Sequence, residues 1–159
     1  MPKPKVYVET TVISYLVARP SRDLIQRAHQ EITRRWWQRR EGFDLYVSRA
    51  VVAEARQGNP DVAARRLTAL HGIPRLARSA RIVDLASTLL QRGTLPPQAG
   101  MDAAHVAIAA WHGMEFLMTW NLRHLANARL RVKIDEVVQA AGLVPPIICT
   151  PEELMEPTP

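Results

Sequence analysis

The chain contains almost no cysteine and no long apolar run. Its one cysteine among 159 residues, Cys149, has no second cysteine with which to form an internal disulfide. Its apolar context, after Ile147 and Ile148, is typical of a buried thiol in a reducing compartment. No apolar stretch reaches the roughly 18 residues of a membrane-spanning helix. Residues 1–5 lack the apolar core of a signal peptide. We therefore expect a cytoplasmic protein that does not enter a membrane.

The composition is that of an ordinary globular domain, with 47% apolar and 23% charged residues. The chain has no internal repeat, low-complexity segment or linker. We therefore expect one domain over residues 1–159, with a short flexible tail over about 155–159. The net charge is +6, largely from arginine. A basic chain suits a polyanionic partner such as nucleic acid, or an acidic partner protein.

Short apolar segments alternate with longer amphipathic ones. Strands are predicted at residues 5–9, 45–48, 116–118 and 147–149. Helices are predicted at residues 22–40, 49–55, 61–71, 79–90, 103–111 and 128–141. Shorter pieces are a helical turn at 12–17, an extended link at 72–76 and a helix start at 150–154. This alternation predicts an α/β fold with three layers, in which helices flank a small parallel sheet of four to five strands.

The helix predicted at 22–40 carries the most informative aromatic pair. Ser21 is its predicted N-cap. Helical spacing predicts an inward face that consists of Leu24, Ile25, Ala28, Ile32 and Trp36. Trp36 and Trp37 point about 100° apart on a helix, so one belongs to the core and the other lies near the surface. The outer tryptophan either packs beneath arginine side chains or contacts a partner.

Acidic and amide side chains recur near the predicted strand ends. Glu9 ends the first strand, and Glu54 lies on the helix after the second. Asp102 opens the Ala-rich helix, and Asn121 follows the strand at 116–118. Parallel strands bring their carboxyl ends to one edge, so we expect these groups to converge there. Taken singly, Asp102 is also typical of an N-cap or first-turn acid, and Glu54 of a solvent-facing glutamate.

These acids have no histidine, cysteine or lysine beside them at the predicted strand ends. Converging carboxylates repel one another unless a hard cation neutralises them, and oxygen ligands suit Mg²⁺ or Mn²⁺. Such metal sites activate water and stabilise the leaving oxygen in phosphodiester cleavage. The pattern therefore favours a metal-dependent phosphodiesterase.

Four segments, in this order and spacing, resemble the PIN domain, and most of all the VapC-type toxins of prokaryotic type II toxin–antitoxin pairs. They are Tyr7 to Ser14, Val52 to Glu54, Asp102 to Ala107 and Leu117 to Asn121. The likeness extends over nearly the whole chain, through residues 147–154. It implies a Mg²⁺- or Mn²⁺-dependent ribonuclease that cleaves RNA and is silenced by a cognate antitoxin protein. It also implies a homodimer or a higher oligomer.

The resemblance also implies residue roles. Glu9 and Asp102 would be the principal metal ligands, and Glu54 would bind the metal directly or through water, or help activate the attacking water. Asn121 would hold a metal-bound water and complete the catalytic set. The hydroxyls of Thr10 or Thr119 would orient the carboxylates.

The chain departs from the family pattern at two of these positions. Glu9 stands where the family usually has aspartate, and the extra methylene moves the carboxylate by about 1.5 Å. Asn121 replaces a fourth acid and lowers the negative charge of the site by one. Both departures support an alternative function, a catalytically weak or inactive PIN-like module that binds RNA or an antitoxin without cleavage.

One other protein class and two histidines also bear on this site. A phosphoaspartate receiver domain also has an acid after its first strand, but it needs an aspartate and a lysine on a late strand. Glu9 and the segment Thr119-Trp120-Asn121 provide neither. His105, one helical turn after Asp102, either faces the site or packs in the core. His124 follows Asn121 closely enough to contact a phosphate.

Overall fold

A computed structural model describes residues 2–92 and 94–156. Five parallel strands form a sheet in the order β3-β2-β1-β4-β5. The strands are β1 (Lys5–Val8), β2 (Asp44–Ser48), β3 (Arg75–Leu76), β4 (Phe116–Met118) and β5 (Ile147–Cys149). The helices of the described residues are α1 (Thr10–Val17), α2 (Leu24–Gln38), α3 (Arg49–Ala55), α4 (Pro60–Leu70), α5 (Ala80–Gln91), α6 (Gly100–Trp111) and α7 (Ala128–Ala140). The predicted α/β class is confirmed, and the architecture is consistent with a three-layer PIN-like fold.

The strand order reverses direction at β1. The chain builds β2 and β3 on one side of β1 and then β4 and β5 on the other. Val6 pairs with Phe116 and Val8 with Met118, so β1 and β4 end level with each other. In open parallel sheets, ligands bind at such a switch point, in the crevice outside the carboxyl ends of the strands.

The central strand β1 is buried on both faces of the sheet. Val6, Tyr7 and Val8 have no exposed surface, as expected for a parallel strand covered on both faces. The helix α6 is buried nearly all round, which confirms the prediction for this segment. Gly113 ends it with φ of 68°, a conformation that glycine adopts without strain, and the chain then turns into β4. No helix in the described residues is long and apolar enough to cross a membrane.

The first strand and the segment after it differ from the prediction. Strand β1 ends at Val8, and the predicted turn at 12–17 is a full helix, α1, that begins at Thr10. Glu9 is the N-cap of α1, where its side chain accepts a hydrogen bond from the backbone N–H of Thr11. A carboxylate at this position also lies at the positive end of the helix dipole.

The helix α2 is capped by Asp23 rather than by Ser21. The predicted inward positions Leu24, Ile25 and Ala28 are wrong, because Leu24 and Ile25 are 82% and 67% exposed and Ala28 is exposed as well. At 1.5 Å per residue, α2 is about 22 Å long and its neighbour α1 about 12 Å, so the first turns of α2 have little to pack against. Trp36 is buried, whereas Trp37 is half-buried with the Arg40 guanidinium 4.9 Å from its ring centre. This is the predicted boundary packing beneath an arginine.

Two short segments, residues 72–76 and 150–154, also differ from their predicted structure. The predicted link at 72–76 contains β3, whose pairing with β2 is confined to two residues and therefore leaves little pattern in the sequence. After β5, the predicted helix start forms only turns, although Thr150 and Glu153 exchange the hydrogen bonds of a capping box. Pro157 follows closely and disfavours helix at the residue before it. Of the predicted tail, Met155 packs against the core, and residues 157–159 lie outside the described residues.

Candidate acidic site at the carboxyl edge of the sheet

The predicted site residues come from four elements around the switch point. Glu9 follows β1, and Thr119 and Asn121 follow β4. Glu54 lies on α3, and Asp102 lies in the first turn of α6. Asp102 is therefore the first-turn acid that the sequence allowed, and Ala99 is the N-cap.

Glu9 is a buried carboxylate with one oxygen fully engaged. Its exposed fraction is 3%. Oε2 accepts hydrogen bonds from the Thr11 backbone N–H at 2.7 Å, the Thr11 hydroxyl at 2.6 Å and the Thr119 hydroxyl at 3.3 Å. Burial raises the pKa of Glu9, and the nearby His105 and the Thr11 hydrogen bonds offset this only in part. Within the described residues, no lysine or arginine forms an ion pair with Glu9.

Glu54 is half-exposed but firmly held. Its Oε1 accepts the Thr10 hydroxyl at 2.7 Å and lies 2.6 Å from His105 Nε2. Burial alone would raise the pKa of Glu54, but the hydrogen bond and charge of His105 and the bond from Thr10 outweigh it and lower the pKa. The glutamate is thus tied to the site rather than free in solvent.

His105 joins the carboxylates from inside the core. It is fully buried, and its Nδ1 lies 2.7 Å from the Tyr7 hydroxyl. Burial alone would lower the pKa of His105. The hydrogen bond to Glu54 and the negative charges of Glu9, Glu54 and Asp102 reverse this and raise it. Because the buried ring contacts Glu54 directly, the histidine both packs in the core and faces the site.

Asp102 occupies a different environment. Its Oδ1 accepts the Asn121 amide N–H at 3.0 Å, and its Oδ2 lies 3.1 Å from His124 Nδ1. The side-chain oxygen of Asn121 accepts the backbone N–H of His124 at 3.0 Å, so the amide nitrogen is the end that faces Asp102. Asn121 is predicted to hold a metal-bound water. In the structure its side-chain oxygen instead accepts the backbone hydrogen bond that fixes the loop after β4.

Several supporting residues escaped the sequence-based prediction. The hydroxyls of Thr10 and Thr119 hydrogen-bond carboxylates as predicted, but Thr11 makes the shorter contacts with Glu9. Tyr7 was predicted only as part of the first strand. It precedes Glu9 by two positions on an extended backbone, so the two side chains share a face, and this spacing points to the missed tyrosine. His105, predicted either to face the site or to pack in the core, follows Asp102 by three positions on a helix and lies on the same side of it.

The donor chemistry of this site fits a hard divalent cation. The candidate ligands are carboxylate oxygens, as Mg²⁺ and Mn²⁺ prefer. Within the described residues, Glu9 Oε1 and Glu54 Oε2 accept no hydrogen bond from the protein, whereas both oxygens of Asp102 are engaged. In residues 2–92 and 94–156, no group of three or more His, Cys, Asp and Glu side chains is arranged to hold a metal ion. The two glutamates thus each present an oxygen without a protein donor to a cation, whereas Asp102 presents oxygens that already contact Asn121 and His124.

Comparison of the sequence with protein-family models gives no match, and comparison with curated proteins gives none either. The likeness to the PIN domain therefore depends on the four sequence segments, and the observed α/β fold is consistent with it.

Proposed function

We propose that this chain is a Mg²⁺- or Mn²⁺-dependent endoribonuclease of the PIN type that serves as the toxin of a toxin–antitoxin pair. The observation that supports this most is the buried Glu9 carboxylate at the β1/β4 switch point. Its pKa is raised by burial, and it has no lysine or arginine partner in the described part of the chain. A desolvated charge of this kind is costly unless it is paired or coordinates a metal.

The free oxygens of Glu9 and Glu54 would hold the cation, and Asp102 would complete its ligands through the oxygen that contacts His124 in the structure. When bound, a divalent cation activates water and stabilises the leaving oxygen of a phosphodiester. Thr11 and Thr119 fix the Glu9 carboxylate through its other oxygen, and Thr10 and His105 fix that of Glu54 in the same way. Each glutamate is therefore oriented before substrate arrives, which lowers the reorganisation that catalysis requires.

The charge distribution supports an RNA substrate and a protein regulator. A net charge of +6 favours association with a polyanion. The first turns of α2 expose Leu24 and Ile25 beside the exposed basic residues Arg22 and Arg27, a surface with both apolar and cationic character. We propose that the cognate antitoxin docks there. The test is co-purification of this chain with the product of an adjacent short reading frame. Failure of that product to co-purify, or its equal co-purification with an L24S/I25S variant, would count against docking at this surface.

The test of the nuclease is cleavage of labelled structured RNAs by antitoxin-free protein over a titration of Mg²⁺ and Mn²⁺. Asp102→Asn is prepared in parallel, with Asp84→Asn, an exposed aspartate on α5, as the matched control. We expect metal-dependent cleavage by the parent and by Asp84→Asn and none by Asp102→Asn, with all three equally folded. Equal residual cleavage by all three would indicate a contaminating ribonuclease and would contradict the proposal.

A second function is favoured by one specific observation. Both oxygens of Asp102 are hydrogen-bonded to neighbouring side chains, which suits a PIN-like module that binds RNA or an antitoxin without cleavage. Calorimetry with Mn²⁺ discriminates between the two. Measurable binding that Glu9→Gln removes supports the nuclease, whereas no binding at millimolar Mn²⁺, together with retained RNA binding, supports the module.

A further inference from the structure

A buried chain of hydrogen bonds lies beneath the acidic site. The Ser48 hydroxyl is 2.7 Å from the Tyr7 hydroxyl, and Tyr7 is 2.7 Å from His105 Nδ1. On its other side, His105 Nε2 is 2.6 Å from Glu54 Oε1. Ser48, Tyr7 and His105 are each at most 1% exposed. Buried polar groups of this kind are costly unless every member is satisfied, and here each member has a partner on both sides.

The direction of these hydrogen bonds follows from donor and acceptor chemistry. An ionised carboxylate only accepts, so His105 presents an Nε2–H to Glu54. Nδ1 then faces Tyr7, whose hydroxyl donates to a neutral ring and accepts from a protonated one. The Ser48 hydroxyl turns in the same manner. These hydrogen bonds therefore keep the His105 Nε2–H directed at Glu54 whether the imidazole is neutral or protonated.

The same contacts determine which oxygen of Glu54 remains open. Oε1 receives two donors, Thr10 from α1 and His105 from α6. Oε2 receives none from the described residues. Ser48 adds a mechanical link, since it also caps α3, the short helix that carries Glu54, through the Val51 backbone N–H. One buried serine thus connects the start of that helix to the far end of the hydrogen-bond chain.

We propose that His105 is a positioning residue: with Tyr7 and Ser48 behind it, it holds the Glu54 carboxylate so that Oε2 stays open toward the cation or the reacting water. This inference rests on the proposed nuclease function. Simple packing explains the burial of His105, but it does not explain why both ring nitrogens and two further hydroxyls are connected in series to one acid of the site.

Kinetics of matched variants test the inference. Tyr7→Phe removes one hydroxyl without changing the ring, and His105→Leu removes both ring nitrogens at similar volume. We expect each to lower kcat by about 10- to 100-fold, the range typical of groups that support a metal ligand, with an unchanged KM for RNA. His105→Gln retains a donor and should recover part of the loss. A residue that is merely structural would change the yield or the melting temperature and leave the kcat of folded protein unchanged.

Two substitutions of residues that do not belong to this hydrogen-bond chain serve as controls. Tyr46→Phe removes a hydroxyl from β2, where Tyr46 pairs with Tyr7 but forms no side-chain hydrogen bond among the described residues. His112→Gln changes a histidine whose side chain hydrogen-bonds the Ala77 carbonyl, away from the acidic site. Both should retain the parental kcat. Parental kcat in Tyr7→Phe and in His105→Leu would overturn the inference and leave the nuclease intact.

Nuclear magnetic resonance provides a measurement that is independent of cleavage. One-bond ¹H–¹⁵N correlations of the metal-free protein, assigned among the five histidines by the loss of a resonance in His105→Gln, report which nitrogen carries the proton. We expect a slowly exchanging proton on His105 Nε2, and a shifted Glu54 carboxyl ¹³C resonance in Tyr7→Phe but not in Tyr46→Phe. A proton on Nδ1 alone, or an unshifted Glu54 resonance, would overturn the inference. The expected spectra from a protein that cuts no RNA would refute only the proposed function.

Discussion

The two sides of the acidic site are built differently. On one side, Glu9 and Glu54 are held by hydroxyls of α1 and by a histidine of the core, and each keeps one oxygen free of protein donors in the described residues. On the other side, both oxygens of Asp102 contact side chains of the loop after β4, those of Asn121 and His124. The glutamate side is therefore open and rigidly held, and the aspartate side is closed by contacts at the surface.

This difference suggests how the two departures from the family pattern work together. Glu9 caps α1 through one carboxylate oxygen, while its second oxygen accepts no hydrogen bond from the described residues. Asn121 has no charge, so its amide can donate to Asp102, which a fourth carboxylate cannot do unless it is protonated. Glu9 thus keeps one carboxylate oxygen without a protein donor, and Asn121 occupies one oxygen of the nearby Asp102.

The largest effect should come from Glu9→Gln. The glutamine oxygen can still accept from Thr11 and Thr119, so the fold is kept, while the free oxygen is replaced by an amide N–H. We expect metal-dependent cleavage to fall by at least about 100-fold, beyond the range for supporting residues. The same substitution should raise the free energy of unfolding at about pH 8, because it removes a desolvated charge. Urea denaturation and RNA cleavage, with exposed Glu136→Gln as the control, measure both effects.

The sign of the pH dependence sharpens this prediction. Folding raises the pKa of Glu9 above its ordinary value of 4.5, so the folded state holds this proton more tightly than the unfolded chain does. The resulting stabilisation is fully present below the ordinary pKa and is lost as the pH rises through the folded pKa. The advantage of Glu9→Gln over the parent should therefore be small near pH 4 and grow toward about pH 8. An advantage that shrinks over this interval would contradict the raised pKa.

Thr11→Val comes next, because Thr11 supports the open side at two points. Its hydroxyl donates to Glu9 at 2.6 Å and accepts the backbone N–H of Trp120 at 2.9 Å. Valine has the same shape but does neither, so we expect a loss of about 1–3 kcal/mol in the free energy of unfolding. Cleavage should fall by about 10- to 100-fold. Thr68→Val, on the exposed face of α4, is the control, and identical behaviour of the two variants would remove Thr11 from the site.

Most of the fold was predictable because its elements follow local rules. The helices predicted at 49–55 and 79–90 form as α3 and α5, each capped by a serine, and α6 and β4 have the predicted character of buried segments. The exceptions depend on tertiary neighbours. Periodicity defined an apolar face for α2, but burial of Leu24 requires a partner that the shorter α1 does not provide. The pairing of β3 involves too few residues to leave a pattern.

The site was predictable only in part, for a related reason. Topology alone brings Glu9 and Asn121 to one edge of the sheet, so the candidate acids could be chosen from strand ends. Hydrogen-bond partners from distant parts of the chain cannot be predicted from sequence spacing, and Tyr7 and His105 are 98 positions apart. Nor does spacing tell which end of the Asn121 amide faces Asp102, because that is decided by a backbone donor in the following loop.

The smallest and most discriminating effect concerns His124. Its side chain is partly exposed and makes one contact with Asp102 at 3.1 Å, and its backbone N–H remains on Asn121 after substitution. His124→Ala should therefore cost less than about 1 kcal/mol of stability. Because it frees Asp102 Oδ2, it should raise the affinity of the protein for Mn²⁺, whereas His105→Leu on the open side should lower it. Calorimetric titration, with exposed His71→Ala as the control, measures the difference. A lower affinity in His124→Ala would mean that the imidazole is itself a ligand, and the two sides would then not differ as described.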